Sequence, residues 1–171
     1  MFLALLALVS GRAGFTNYMM WSSRMSFLIP GDGSNVQVNC WRSGVWHRGS
    51  SSGHSTLRDN KWHEFFFVYQ GSTVTLYVDG KRVMSNGACG DWKSKWRFGN
   101  HAAEFSKMSL WKRTLSSSEI ADGKMLCKDD EDLVSRYQLA DATDEKGNGN
   151  DLEMNGGSFL TSDYTCPTLS L

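Results

Sequence analysis

The residue types that hydrolyse glycosidic bonds do not occur in this chain at the spacing that the reaction needs. Glycoside hydrolysis uses two carboxyl groups on one surface, and on a β-strand this requires acidic residues at alternate positions. The longest acidic run, Asp129–Asp132, is contiguous, so its side chains diverge into water. We therefore predict that the chain is not an enzyme and has no catalytic residues.

Histidine, serine and glycine patterns do not suggest other chemistry. His63–Glu64 lacks the second histidine of a zinc-protease motif, and His47 and His54 only flank a polar stretch. No Gly-x-Ser-x-Gly turn and no glycine-rich phosphate loop before a helix occurs. We predict no metal-ligating residues from these patterns.

The cysteines indicate disulfides rather than a zinc site. Cys40, Cys89, Cys127 and Cys166 are widely spaced and include no Cys-x-x-Cys pair. Four cysteines allow two disulfides in three connectivities, and the alternative is four buried free thiols. We favour disulfides, because the number is even and the apolar start of the chain hints at export.

Tryptophans near loops are the remaining candidates for a functional site. Trp41, Trp46 and Trp92 flank or lie in predicted loops, and Asp91 precedes Trp92. An exposed indole can stack on the apolar face of a sugar ring while polar neighbours bind its hydroxyls. The alternative is that each indole packs at a sheet edge or under a loop. We predict these four residues as ligand-binding, with Arg42, His47 and Lys93 as polar neighbours.

Strands dominate the elements that must position these residues. Val36–Trp41 alternates with period two, and Trp62–Tyr69 is a nearly continuous aromatic run that suits a strand buried on both faces. Thr73–Val78 alternates again, and Asp79–Gly80 then predicts a tight β-hairpin. The polar segment Arg48–Ser55 is expected to be a mobile surface loop.

A single helix is expected in an otherwise all-β chain. Ser116 and Glu119 have capping-box spacing, which predicts a short helix over Ser117–Met125. Many short strands with intervening turns predict a jelly-roll sandwich of two antiparallel sheets with this one short helix.

The start of the chain is apolar without being a clear targeting signal. Phe2–Val9 has no basic residues before it and is too short to span a bilayer. We interpret residues 1–14 as an apolar N-terminal arm or signal remnant, and a first strand is the alternative; we favour an ordered segment. Contact with a membrane complex through these residues is left open. Residues 15–171 are the predicted sandwich domain.

Several segments together resemble a known family. Trp62–His63 followed by Leu76–Lys81 resembles the central meander of laminin G-like domains of the concanavalin A-like lectin/glucanase superfamily. Phe98–Asn100 and Phe105–Ile120 continue the resemblance, which implies a jelly roll of two curved sheets. Leu133–Gly157 resembles the opening strands of such a domain. We expect strands within residues 133–160 to close the same sandwich rather than to begin a second repeat.

Calcium is a common cofactor of the family that the chain resembles, held at one rim of the sandwich. Asp32, Asp91 and Asp151 are the candidate ligands, but none lies in a motif that can be carried over from the family. Loop aspartates commonly form turns instead. We predict no cofactor and leave calcium open.

Charge balance limits the class of partner. The chain has 18 basic and 18 acidic residues, so it lacks the excess of positive charge typical of nucleic-acid binding. We predict a non-catalytic module that binds glycan or protein through loops or a sheet face, in a secreted, extracellular or organelle-lumen setting. The alternative is a structural accessory subunit of a larger membrane-associated or organellar assembly, which the apolar arm would favour.

Overall fold

The computed structural model describes residues 2–11, 17–22, 24–30, 35–52, 57, 61–87, 89–90, 97–98, 103–122, 131–138 and 141–153. Within these ranges the chain forms eleven strands and one helix, in the order β1 (Phe2–Gly11), β2 (Asn17–Trp21), β3 (Met25–Ile29), β4 (Asn35–Arg42), β5 (Val45–Ser52), β6 (His63–Gln70), β7 (Thr73–Val78), β8 (Lys81–Asn86), β9 (Arg97–Phe98), β10 (Ala103–Trp111), α1 (Ser117–Ala121) and β11 (Leu133–Tyr137).

The strands form two antiparallel sheets. One sheet has six strands in the order β11-β10-β1-β6-β7-β8, and the other has five in the order β5-β4-β3-β2-β9. The side chains that alternate inward from both sheets meet in one core, which includes Phe27, Val38, Phe65, Phe67 and Leu76. The predicted all-β sandwich with one short helix is confirmed.

The aromatic run of β6 is buried on both sides of its sheet. Phe65 and Phe67 face the core between the sheets. Phe66 and Val68 face outward into a second cluster that includes Ile120 of α1. This two-sided burial explains why the segment is continuously apolar, and it stabilises the helix against the sheet.

The predicted hairpin after β7 is confirmed. Phe65–Gln70 pairs with Thr73–Val78, and Val78 pairs with Lys81 across the turn. Asp79 and Gly80 have φ angles of 47° and 74°, so both turn residues are left-handed. The Asp79 carboxylate accepts the Glu64 backbone N–H at 3.0 Å and lies 2.9 Å from His63 Nδ1.

The capping box predicted the start of α1 correctly. The Ser116 side chain accepts the Glu119 backbone N–H, and the Glu119 side chain accepts that of Ser116. Arg113 adds two hydrogen bonds to the Glu119 carboxylate, at 3.1 and 2.7 Å, and these, together with the hydrogen bonds from Ser116, lower the pKa of Glu119 to about 2. The helix ends at Ala121, earlier than predicted, and residues 123–125 of the prediction lie outside the described residues.

The apolar N-terminal segment is a strand and not an arm, so that interpretation is wrong for Phe2–Gly11. This segment is β1, which pairs with β6 on one side and β10 on the other. A strand inside a sheet that is covered on both sides is expected to be apolar throughout. The segment is therefore an internal strand, although its composition resembles that of a signal segment.

The polar segment after Val45 is also a strand, which corrects the expected loop. Asn35–Arg42 pairs with Val45–Ser52 along its whole length, so Arg48–Ser52 belongs to β5. Gly49 lets this edge approach the other sheet, because a Cβ there would lie 2.5 Å from Met84 Cε. Asn86 of β8 donates hydrogen bonds to the Val38 and His47 carbonyls at 3.4 and 3.3 Å, which joins the two sheet edges.

The C-terminal part of the described chain continues the six-stranded sheet. β11 pairs with β10, with Met108 opposite Tyr137. After it, the buried Asp144 carboxylate accepts the backbone N–H groups of Arg136 and Lys146, each at 3.1 Å. Residues 154–160 of the expected closure lie outside the described residues. The division into residues 1–14 and 15–171 otherwise stays a prediction.

Candidate functional site

Trp41 and Trp46 come together at the end of one hairpin. They are cross-strand partners in β4 and β5, and their ring centroids lie 5.4 Å apart in a T-shaped arrangement. The intervening turn is formed by Ser43 and Gly44, whose φ angles of 51° and 83° close a two-residue hairpin. Trp46 is 49% exposed, and Trp41 is half-buried. The hairpin therefore presents an aromatic pair to solvent.

A disulfide attaches a second segment beside this aromatic pair. Cys40, which precedes Trp41, is bonded to Cys89. Gly90 then packs against the hairpin, because a Cβ there would lie 2.6 Å from the Trp41 carbonyl oxygen. Tyr69 Oη donates a hydrogen bond to the Gly90 carbonyl at 3.0 Å. The backbone up to Gly90 is thus fixed against β4 from two directions.

The other two predicted site residues follow this fixed point directly in sequence. Asp91 and Trp92 come immediately after Gly90, but they lie outside the described residues. The structure therefore brings Trp41 and Trp46 together and leaves the positions of Asp91 and Trp92 as predictions. Cys127 and Cys166 also lie outside the described residues, so only one of the expected disulfides is described.

The outer face of the five-stranded sheet continues from the aromatic pair as two rows of side chains. The Trp41 N–H donates to the carbonyl of Arg24, the residue before β3, at 2.7 Å, which places Arg24, Trp41 and Trp46 side by side. The next row contains the buried Ser26, the half-buried Asn39 and the exposed Arg48. Asn39 connects this row, since its Nδ2 donates to Ser26 Oγ at 3.2 Å and its Oδ1 accepts from Arg48 Nε at 3.3 Å.

Sequence reasoning missed most of the polar part of this surface. Arg24, Asn39 and Arg48 were not proposed as site residues, because only the strand register puts them beside the tryptophans. Alternation along β4 was visible in the sequence, but its pairing partners were not. His47, which was proposed as a neighbour, pairs with the inward-facing Cys40 and so lies on the other side of β5. Arg42 is exposed at the hairpin end, and Lys93 lies outside the described residues.

A second exposed tryptophan lies elsewhere in the molecule. Trp62 is 44% exposed and precedes His63, the first residue of β6, which contacts Asp79 of the β7–β8 turn. At this end, burial and, to a smaller extent, the nearby Asp79 carboxylate raise the pKa of Glu64 to about 7. The hydrogen bonds of Asp79 to His63 and Glu64 hold the β7–β8 turn against the start of β6, which is a structural role.

No metal site is formed within the described residues. No group of three or more His, Cys, Asp or Glu side chains in that part of the chain could hold an ion. The calcium candidate Asp151 instead accepts the Asp144 backbone N–H at 2.9 Å, while Asp32 and Asp91 lie outside the described ranges. Among the described residues, no helix is long and apolar enough to cross a membrane.

Comparison with known sequences identifies a family for most of the chain. Residues 7–121 match the laminin G-like family model described as the concanavalin A-like lectin/glucanases superfamily. The matched region includes the aromatic hairpin, the disulfide and α1. A comparison with curated proteins gives no match.

Solved structures with the same fold are distant in sequence. A candidate carbohydrate-binding protein from Bacteroides ovatus is 18% identical with a TM-score of 0.59, covering 81% of this chain and 45% of its own. The receptor-binding domain of botulinum neurotoxin type G is 10% identical with a TM-score of 0.57, covering 71% and 37%. The binding domain of botulinum neurotoxin DC, solved in complex with SialylT, is 12% identical with a TM-score of 0.55, covering 71% and 34%. The chain thus spans less than half the length of each of these proteins.

Proposed function

We propose that this chain, which belongs to the concanavalin A-like lectin/glucanase superfamily, is a non-catalytic module that binds glycan at the Trp41–Trp46 hairpin. The observation that carries this proposal is the solvent-exposed aromatic pair held in place by a disulfide at its base. A rigid indole surface binds a sugar ring with little loss of conformational freedom. The structural neighbours named for carbohydrate or receptor binding support this assignment at the level of fold.

The polar row beside the tryptophans supports a hydroxyl-rich ligand. Asn39 and Arg48 are hydrogen-bonded to each other, so their side chains are already oriented before a ligand arrives. Such preorganised polar groups next to an apolar platform are typical of small-ligand sites. We include Asp91 and Trp92 in the proposed site, because they follow Gly90, which packs against the Trp41 backbone.

The structure does not support the main observation that favoured a structural accessory subunit. That interpretation depended on an apolar arm at residues 1–14 that would contact a partner or a membrane complex. Phe2–Gly11 instead pairs on both edges inside the six-stranded sheet, so its backbone is already occupied. The competing proposal is that the tryptophan hairpin binds a protein instead of a glycan.

We further propose that the module works outside a reducing cytosol and without a metal ion or catalytic step. The Cys40–Cys89 disulfide supports an oxidising setting, either extracellular or in an organelle lumen. The cation-independent and non-catalytic parts of this proposal follow from the acidic residue spacing of the sequence.

Glycan binding is tested by removing one indole at the hairpin. We expect Trp46→Ala to weaken binding to the best ligand on a glycan array by about tenfold or more, since a central aromatic contact carries much of a small interface. Calorimetry with that glycan measures the effect, with and without a calcium chelator. The folded state is checked by a thermal melt, which this exposed substitution should leave nearly unchanged.

The matched control is Trp62→Ala, which removes an indole of similar exposure at another place on the molecule. Glycan affinity should not change in this variant. Equal losses in both variants, or full binding by Trp46→Ala, would place the ligand elsewhere. Loss of binding in the chelator would overturn the cation-independent part of the proposal.

A further inference from the structure

The charged residues in the described strands that carry the tryptophan hairpin have one sign, although the whole chain is neutral. Arg24, Arg42 and Arg48 are all exposed near the aromatic pair. The described residues 24–30 and 35–52 contain no aspartate or glutamate, and none of the three arginines forms an ion pair with a described residue. Asp32 belongs to the connection between the far ends of β3 and β4. The formal net charge of zero is thus unevenly distributed.

Two of these arginines lie at opposite corners of the surface that carries the tryptophans. Arg24 is beside Trp41 in the first row, and Arg48 is two residues beyond Trp46 in the second. Adjacent strands are about 4.8 Å apart and alternate residues about 7 Å apart, so the two rows cover roughly 10 by 7 Å. This area fits one or two sugar rings.

We propose that the ligand of this module is an anionic glycan, in which a carboxylate or sulfate group contacts Arg24 or Arg48 while a sugar ring stacks on Trp46. This inference rests on the proposed glycan-binding function and specifies its ligand class. Guanidinium groups bind carboxylates and sulfates through paired hydrogen bonds, and the described residues 24–30 and 35–52 contain no acidic side chain that would compete for them. The hydrogen bond from Arg48 Nε to Asn39 leaves its two terminal nitrogens to bind an anion.

A glycan agrees with this surface better than a nucleic acid or a membrane does. Binding of a phosphate backbone needs a long basic track, and here the three arginines are confined to one end of a neutral chain. A membrane would contact a broader apolar surface, whereas the described part of this end exposes Val45 and Trp46 as its large apolar side chains. Oriented hydrogen-bonding groups between the arginines match hydroxyls.

Matched pairs of glycans test the inference. The probes are lactose and 3′-sulfolactose, and an uncharged oligomannoside and an oligomannuronate, each immobilised at equal density. We expect the anionic member of at least one pair to bind at least tenfold more tightly than its neutral partner. Arg24→Gln or Arg48→Gln should reduce that affinity by roughly tenfold, as expected for a lost hydrogen bond to a charged group. Arg82→Gln, an exposed change on β8, is the control.

The outcomes separate this inference from the proposed function. Equal binding of neutral and anionic members, abolished by Trp46→Ala, would overturn the anionic ligand class and leave glycan binding intact. If a wider array also shows no glycan binding, both proposals fail. Anionic binding that survives Trp46→Ala would be unspecific charge attraction and would overturn the inference. Equal or tighter binding to an oligothymidine or to phosphatidylserine vesicles would overturn it as well.

Discussion

Among the described carboxyl groups, Glu64 is the one whose pKa is clearly raised by folding. Its neighbours in β6, His63 and Phe65, are buried, and the carboxylate of Asp79 lies close by at the turn. Burial first, and then repulsion from Asp79, raise its pKa from 4.5 to about 7. The folded protein therefore binds this proton more tightly than the unfolded chain does.

This raised pKa predicts the direction of a pH effect on stability. The contribution of Glu64 is complete below about pH 4.5 and is lost as the pH rises through about 7. Glu64→Gln, which is neutral at every pH, should therefore be more stable than the wild type at pH 8, by about 1–2 kcal/mol after allowance for partial exposure. At pH 4.5 the two should unfold at similar temperatures. Thermal melts across this range measure the difference.

The exposed Glu153→Gln serves as the control for this pH effect. Its melting temperature should follow that of the wild type at every pH. A Glu64→Gln variant with the same pH dependence as the wild type would contradict the assigned cause.

Gly90 packs closely against the backbone of the candidate site because it has no side chain. A Cβ at this position would lie 2.6 Å from the Trp41 carbonyl oxygen, which is a backbone atom and cannot rotate away. Gly90→Ala should therefore destabilise the domain by about 1–3 kcal/mol and weaken glycan binding, because the segment must move away from β4. Chemical denaturation and the glycan titration measure the two effects.

Gly87→Ala is the matched control for Gly90→Ala, because both glycines lie between β8 and β9. A Cβ there would lie 3.7 Å from Thr73 Oγ1, an ordinary contact. This variant should bind and unfold like the wild type. Equal behaviour of the two alanine variants would mean that Gly90 does not pack against β4.

At the scale of elements, the pairing of β1 makes the N-terminal segment part of the domain. It has hydrogen-bonding partners on both edges, so deletion of residues 2–11 would separate β6 from β10. We expect this deletion to abolish cooperative unfolding, because two buried strand edges would lose their partners. Hydrogen exchange of the intact chain is the complementary measurement.

Amides of β1 should exchange as slowly as those of β6 in that measurement. The turn residues Ser43 and Gly44 are exposed and provide the fast-exchanging comparison within the same molecule. If the variant that lacks residues 2–11 unfolds cooperatively and the β1 amides of the intact chain exchange fast, the segment is an arm and not part of the domain.

Elements with strong local signals could be predicted from the sequence. The Asp79–Gly80 turn and the Ser116 cap depend on residues within four positions of each other, so local chemistry determines them. β1 and β5 could not be predicted in this way. An internal strand has the composition of a targeting segment, and the edge strand β5 is polar because its outer face meets water.

At the scale of the whole molecule, the candidate site is a consequence of sheet register. The sequence identified Trp41 and Trp46 by type, but their pairing required β4 and β5 to align over eight residue pairs. Arg24, the residue before β3, joins them through the Trp41–Arg24 backbone hydrogen bond. Residues far apart in sequence meet only once the sheet forms, so the polar half of the surface has no local signature.

The Cys40–Cys89 bond makes the preparation of the protein part of any binding measurement. It joins the strand that carries Trp41 to the segment that leads to Asp91, and it crosses 49 positions of sequence. A sample produced in a reducing cytosol would lack this link, and its chain could fold as a sandwich with the two segments of the proposed site not joined by a disulfide. A negative glycan screen is therefore informative only when the mass of the sample shows that this pair is oxidised.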